Sequence, residues 1–355
     1  MPARRLVNCF GLAAAFTLAL MTAAPAQISL TPQTGTKAAP ATKAEKPKSA
    51  TPAKPQTTAT PAQKKSAPAN SAPVAGNPNA DLAYGAFQNG AYLTALKLAQ
   101  QRAEQFNDPK SMTLVGELYA NGFGVKQDDA KAADWYKRAA DMGDREAMFG
   151  LAMLKISGRA GPPQREEGAK LLAASAKLGK PAAAYNLGLL YLEGQVFPQD
   201  LNRAAELFRQ AADAGNPEAQ YALATFYKEG RGVEKNLVEA ARLLRAAAMV
   251  DNIDAEVEYA IALFNGTGTP RDLPTALAVL NRAARQNSPV AQNRLARVLV
   301  FGQGATVDKV EGFKWHLIAK TAGNGDPDLD ALFQEQTPED RKKSEDRAKK
   351  WFGTK

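Results

Sequence analysis

The small and the large apolar positions of this chain recur every 36 residues, from about residue 111 to residue 325. When the units are aligned, glycines, small residues and large apolar residues each form a column. The spacing within each column stays at 36 residues throughout. The glycine column comprises Gly122, Gly158, Gly194, Gly230, Gly266 and Gly302. A fixed period between about 20 and 50 residues is the signature of a repeat architecture. The pattern therefore predicts a stack of similar units rather than a single globular core.

Each period reads as two helices joined by a glycine loop. In one unit, Ala219, Leu223 and Phe226 follow helical spacing and share a face, and Gly230 ends this helix A. Asn236 can then cap the N-terminus of helix B, as an Asp or Asn does in every unit but the one with Gln164. The six full units begin near Ser111, Ala147, Ala183, Ala219, Ala255 and Ala291.

The units at the two ends depart from this pattern. The pattern predicts helices over 82–89 and 91–106, with a shorter connection than in the later units, as expected of a capping unit. A charged helix from Thr337 to Trp351 is expected to cover the other end. The aspartates in 326–330 resemble the start of a calcium loop, but the glycine and glutamate that such a loop needs are absent. We interpret them as a structured acidic loop.

The full pattern resembles the Sel1-like repeat (SLR), a cousin of the tetratricopeptide repeat. In one-letter code it reads A-xxx-L-(G/A)-xx-Y-xx-G-x-G-V, followed by a B helix that begins at Asp or Asn and ends at Gly. The resemblance implies an all-α fold, a right-handed α/α superhelical solenoid of about seven units whose A helices line the concave side. Members of this family are typically non-enzymatic adaptors, often in bacterial envelopes, and include periplasmic regulators that restrain a membrane sensor.

Two segments precede the solenoid, which we place at 80–355 with a C-terminal cap at 326–355. Residues 1–26 are expected to form a signal peptide, because two arginines precede an apolar run and an A-x-A cleavage site. This predicts a periplasmic or secreted protein. The mature protein would have no thiol, because Cys9 is the only cysteine and lies within the signal peptide. The alternative is an uncleaved N-terminal anchor. Residues 27–79, rich in Ala, Pro, Thr and Lys, are expected to form a disordered linker.

The charge of the chain is concentrated in the linker. Of the net charge of +9, +6 falls on the linker and +2 on the first 26 residues, which leaves +1 on residues 80–355. The basic composition therefore does not indicate a nucleic-acid-binding surface on the solenoid. The linker is expected to act as a solvated spacer, and the alternative is a weak contact with anionic membrane or cell wall.

Few residues are suited to catalysis. His316 is the only histidine, and it occupies an apolar column, so we interpret it as a half-buried core residue. No pair of carboxylates stands out as acid and base. We therefore expect no catalytic residue, metal or cofactor, and the alternative is an envelope enzyme such as a cell-wall or β-lactam hydrolase. Relatives of this repeat family that are linked to β-lactam binding are rich in paired cysteines, which this chain lacks.

Partner binding is expected on helix A, on the face opposite its core residues. There the middle units carry an apolar strip with a polar rim, as a groove for a protein partner requires. The alternative is that some of these residues belong to the core, since neighbouring A helices also pack on each other. The predicted partner-binding residues are Phe149, Met153, Tyr185, Asn186, Leu189, Tyr221, Thr225 and Lys228. The partner would be an unidentified envelope protein, such as a sensor or an assembly factor.

Overall fold

A computed structural model describes residues 79–353 of the chain. The proposed signal peptide and nearly all of the proposed linker lie outside these residues. Within them all regular structure is helical, in sixteen helices. The helices are α1 (Asn79–Gln88), α2 (Tyr92–Phe106), α3 (Pro109–Asn121), α4 (Asp129–Asp141), α5 (Arg145–Ser157), α6 (Arg165–Lys177), α7 (Pro181–Glu193), α8 (Leu201–Asp213), α9 (Pro217–Glu229), α10 (Leu237–Ala248), α11 (Ile253–Asn265), α12 (Leu273–Arg285), α13 (Pro289–Phe301), α14 (Lys309–Thr321), α15 (Pro327–Gln334) and α16 (Pro338–Gly353).

The six regular units are helix pairs, from α3–α4 to α13–α14, and each helix from α1 to α14 packs on the next one in the chain. Each A helix of these units is thirteen residues long and ends at the glycine column, whose φ values of +67° to +74° are left-handed. Each B helix except α6 begins at an Asp or Asn whose side chain accepts a backbone N–H of its first turn. The structure thus confirms both the helix ends and the exception at Gln164.

Small residues allow the helices to approach closely. The alanines at 139, 211, 247 and 283 recur near the end of helix B, and all four are fully buried. In helix A, Gly188 belongs to the column of small residues and also permits a close approach. A Cβ atom on Gly188 would lie 2.7 Å from the ring of Phe208. Close packing therefore fixes the register between the two helices of a unit.

The first unit, α1–α2, is irregular as predicted. Only three residues connect its helices, whereas seven connect α3 to α4. Aromatic rings join this unit to the next, because Tyr92 stacks on Phe123 with ring centroids 4.9 Å apart.

At the other end, α16 packs on α14. The Trp315 and Trp351 rings meet edge to face with centroids 5.0 Å apart, and Ser344 donates a hydrogen bond to the carbonyl oxygen of Val310. The C-terminal helix thus covers the B helix of the last unit, in agreement with the sequence.

The prediction of an acidic loop at residues 326–330 is wrong, because these residues begin the helix α15. Asp326 caps it by accepting the backbone N–H groups of Asp328 and Leu329, and Pro327 occupies the first turn. Leu329 and Phe333 bury the other face of the helix. Acidic side chains are favourable in the first turn of a helix, so the run of aspartates promotes this helix.

The prediction that His316 is half-buried is also wrong, since its side chain is completely buried. Its Nε2–H donates to the Oδ1 atom of Asp330 on α15 at 2.9 Å, and Lys320 binds the same oxygen at 2.7 Å. The ring can replace the leucine of other units because α15 supplies a carboxylate at the edge of the core.

Candidate functional site

The predicted partner-binding residues lie on three consecutive A helices. Phe149 and Met153 belong to α5, the residues from Tyr185 to Leu189 to α7, and the residues from Tyr221 to Lys228 to α9. We call five of them the helix A strip, because they are apolar or aromatic and keep the same two positions of the repeat. The helix A strip consists of Phe149, Met153, Tyr185, Leu189 and Tyr221.

Every residue of the helix A strip is half-buried. Phe149, Tyr185, Leu189 and Tyr221 pack against the core of the middle units, and the rings of Tyr185 and Phe208 have centroids 5.7 Å apart. Part of each side chain remains accessible to solvent. The strip residues therefore take part in core packing and also leave apolar surface exposed.

The polar residues beside the strip are already engaged within the chain. Asn186 donates to the carbonyl oxygen of Ala182, and Thr225 donates to that of Tyr221. Lys228 is exposed, and its Nζ atom lies 2.9 Å from a carboxylate oxygen of Glu258 on α11. Lys228 thus links two neighbouring A helices.

One end of the helix A strip carries a cation that belongs to the chain itself. The Nζ atom of Lys180 lies 5.5 Å from the centroid of the Phe149 ring and also pairs with the carboxylate of Glu146. Lys180 stands in a column otherwise occupied by capping residues, and its side chain makes no cap bond. That break in the column was the sequence signal that could have revealed the contact. The other members of the column are Asp108, Asp144, Asn216, Asn252 and Ser288.

Carboxylates lie near the two tyrosines of the strip. Burial raises the pKa of Tyr221 to about 12, and the nearby Asp254, Glu258 and Glu229 add to the effect. Burial and the nearby Glu218 likewise raise the pKa of Tyr185. Both hydroxyl groups are therefore protonated at neutral pH.

A carboxyl group with a perturbed pKa lies next to the strip on α3. Burial, and after it the charge of Glu146, raise the pKa of Glu117 to about 7 against the opposing charge of Lys180. Glu117 stands in the same column as Met153 and Leu189. No sequence pattern indicates this pKa shift, because the shift depends on contacts between units.

The structure offers few other features of functional interest. Two shallow clefts lie around the loops of the middle units and share Asn202 and Gly232, and no helix A strip residue lines them. Among residues 79–353, no three His, Cys, Asp or Glu side chains are grouped so that they could hold a metal ion. None of the helices described has the length and apolar character needed to cross a membrane.

Comparisons with known proteins agree with this geometry. The family model described as "Sel1 repeat" matches six consecutive segments: 109–144, 145–180, 181–216, 217–252, 253–288 and 289–324. No match was found among curated protein sequences.

Two solved structures share the fold. A Sel1 repeat protein from Oxalobacter formigenes superposes with a TM-score of 0.60 at 24% identity, over 69% of this chain and 97% of that one. The protective antigen c5321 of uropathogenic Escherichia coli, which displays an SLR fold, superposes with a TM-score of 0.51 at 24% identity. That match covers 74% of this chain and 64% of the antigen.

Proposed function

The chain belongs to the Sel1 repeat family, and we propose that it is a non-enzymatic protein–protein interaction scaffold or regulator of the bacterial periplasm or envelope. It binds a partner protein through the concave side of its A helices. The helix A strip is the observation that carries this proposal, because it presents aromatic surface over three consecutive units. Aromatic residues at the centre of an interface commonly supply most of the binding energy.

The N-terminal segments support the proposed location. Residues 1–26 have the pattern of a signal peptide, and export would bring the solenoid into the envelope. The linker would then act as a solvated spacer, and a weak contact of its lysines with anionic membrane or cell wall is the alternative. Intact-mass measurement of the protein from a periplasmic fraction tests the location. A chain that begins after Ala26 supports export, whereas a retained N-terminus contradicts cleavage.

Site-specific crosslinking tests the proposed surface. A photoreactive benzoylphenylalanine replaces Tyr221 in one version of the full chain and Val238, an exposed residue of α10, in another. The proposal predicts that one envelope protein crosslinks from position 221 and not from position 238. Equal crosslinking from both positions, or crosslinking from position 238 alone, would contradict it.

A further inference from the structure

The contact at one end of the helix A strip shows what this surface can bind. There an aromatic ring, an ammonium group and a carboxylate meet: Phe149 and Glu146 come from α5, and Lys180 immediately precedes α7. The ammonium lies within reach of the ring face and pairs with the carboxylate. The ammonium group therefore interacts favourably with both the ring and the carboxylate.

The same arrangement recurs two units later without the cation. Tyr221 and Glu218 on α9 stand 72 residues after Phe149 and Glu146, and Asn252 stands 72 residues after Lys180. The helices α5 and α9 are both thirteen residues long. The backbone at Asn252 (φ −76°, ψ 102°) is close to that at Lys180 (φ −83°, ψ 110°). The backbone of the position is thus repeated, with tyrosine in place of phenylalanine and asparagine in place of the lysine.

Asn252 does not replace the ammonium group. Its Oδ1 atom accepts the backbone N–H of Ala255 at 2.9 Å and so caps α11. Glu218 accepts a hydrogen bond from the neutral amide of Asn216, at 2.8 Å. In the part of the chain that the structure describes, no Lys or Arg pairs with Glu218 or lies over the Tyr221 ring.

The charges around this position favour a cation. Asp254 is exposed beside Tyr221 and adds negative charge. Glu258, also near the ring, is neutralised by Lys228. The charge of Glu218 acts on Tyr185, and Glu218 stands three residues before Tyr221 on α9, a spacing at which side chains of a helix are neighbours. A positively charged group beside Glu218 and over the Tyr221 ring would therefore meet a carboxylate and an aromatic face together.

We propose that this position binds a lysine side chain of an extended segment of the partner protein, with its ammonium against Glu218 and over the ring of Tyr221. The proposal rests on the proposed function and specifies its ligand chemistry. Lysine is the expected residue because the chain uses Lys180 in the equivalent place. Leu189 and Tyr185 then contact the apolar neighbours of that lysine.

A pair of short peptides tests this inference on the full chain. The probes are acetyl-Ala-Leu-Lys-Leu-Ala-amide and the same peptide with norleucine in place of lysine, titrated while the NMR signals of labelled tyrosine rings are followed. We expect the lysine peptide to bind in about the millimolar range and about tenfold more tightly than the norleucine peptide. Equal binding of both peptides, or no binding of either, would overturn the inference.

Two variants show whether the proposed position causes the preference for the lysine peptide. Asn252→Lys places the chain's own ammonium at the position, as Lys180 does two units earlier, so the preference for the lysine peptide should disappear. Glu218→Gln should reduce it about fivefold, because the charge is lost and the shape is kept. Circular dichroism verifies that both variants remain folded. If the preference survives in folded Asn252→Lys protein, the ammonium binds elsewhere.

The reciprocal variant creates a second position. Lys180→Asn removes the internal cation from Phe149 and Glu146, and asparagine can cap α7 as it caps α9 and α11. The lysine peptide should then bind at two positions instead of one. An unchanged stoichiometry in folded Lys180→Asn protein would contradict the equivalence of the positions at Phe149 and Tyr221.

Two further results separate this inference from its alternatives. One is a preference for the lysine peptide that appears only after the seven linker lysines are replaced by glutamine. In that case the chain's own linker occupies the position, and the assignment to a partner is overturned. If position 221 crosslinks to one protein while the two peptides bind equally, the proposed function stands and the lysine assignment fails.

Discussion

Gly268 packs directly against the carbonyl oxygen of Leu237, the first residue of the B helix in the preceding unit. A Cβ atom on Gly268 would overlap this oxygen, and one on Gly232 would overlap the carbonyl oxygen of Leu201 in the same way. Both glycines also have left-handed backbones, with φ of +71° and +61°. The second glycine of the loop therefore sets how closely successive units approach.

We expect Gly268→Ala and Gly232→Ala to lower the free energy of unfolding by about 2–4 kcal/mol, because strain at positive φ is added to a clash with backbone. Gly230→Ala is the matched control: its backbone is also left-handed, but the nearest atom to the added methyl group would be the Cβ atom of Lys235 at 3.3 Å, so no backbone oxygen is overlapped. The control should cost about 1 kcal/mol. Urea denaturation measures all three, and equal losses would show that the clash relaxes without cost.

The raised pKa of Glu117 predicts a pH dependence of stability. The pKa is about 7 in the folded chain and 4.5 for the unperturbed group, so the fold binds the proton more tightly than the unfolded chain does. The contribution of this group to stability is therefore complete below pH 4.5 and is lost as the pH rises to about 7.

Glu117→Gln should remove this loss, since glutamine does not titrate. The side chain is half-buried and partly screened, so we expect the variant to be more stable than the parent by about 1–2 kcal/mol at pH 8. Thermal unfolding of both proteins between pH 4 and pH 8 measures the difference. A difference that does not grow with pH would mean that Glu117 titrates normally.

The bond between His316 and Asp330 should stabilise the C-terminal end. Asp330→Ala leaves the completely buried Nε2–H of His316 without its acceptor, which costs about 1–3 kcal/mol. Asp330→Asn keeps an acceptor oxygen and should cost less. In a His316→Leu background, which restores the apolar residue of other units, Asp330→Ala should cost little. If it costs as much there, the loss arises from Lys320 or from the helix α15.

The sequence predicted the regular units because each helix end depends on one local residue. Gly194 and Gly230 end their helices in the left-handed conformation, and Asp200 and Asn236 begin the next ones with side-chain caps. Such signals act within four residues and are visible without tertiary information. They repeat at the same spacing, so each unit reinforces the interpretation of the others.

Contacts between units explain what the sequence did not reveal. Lys180 reaches Glu146 and Phe149 across one period, and the burial of His316 requires a carboxylate from α15. The helix α15 was missed because its aspartates resembled a loop, although Asp326 and Pro327 together are a helix start. The helix A strip could be located from its columns, whereas the electrostatics around it could not.

The most direct test of the account is the affinity of the crosslinked partner for the double variant Tyr185→Ala with Tyr221→Ala. The control removes two aromatic rings outside the helix A strip, Tyr84→Ala with Phe106→Ala, which are 55% and 57% exposed on α1 and α2. Loss of the two strip rings should weaken binding by about 2 kcal/mol or more, while helicity is retained and the control binds normally. Unchanged affinity, an equal loss in the control, or a loss that occurs only together with helicity would contradict binding through the A helices.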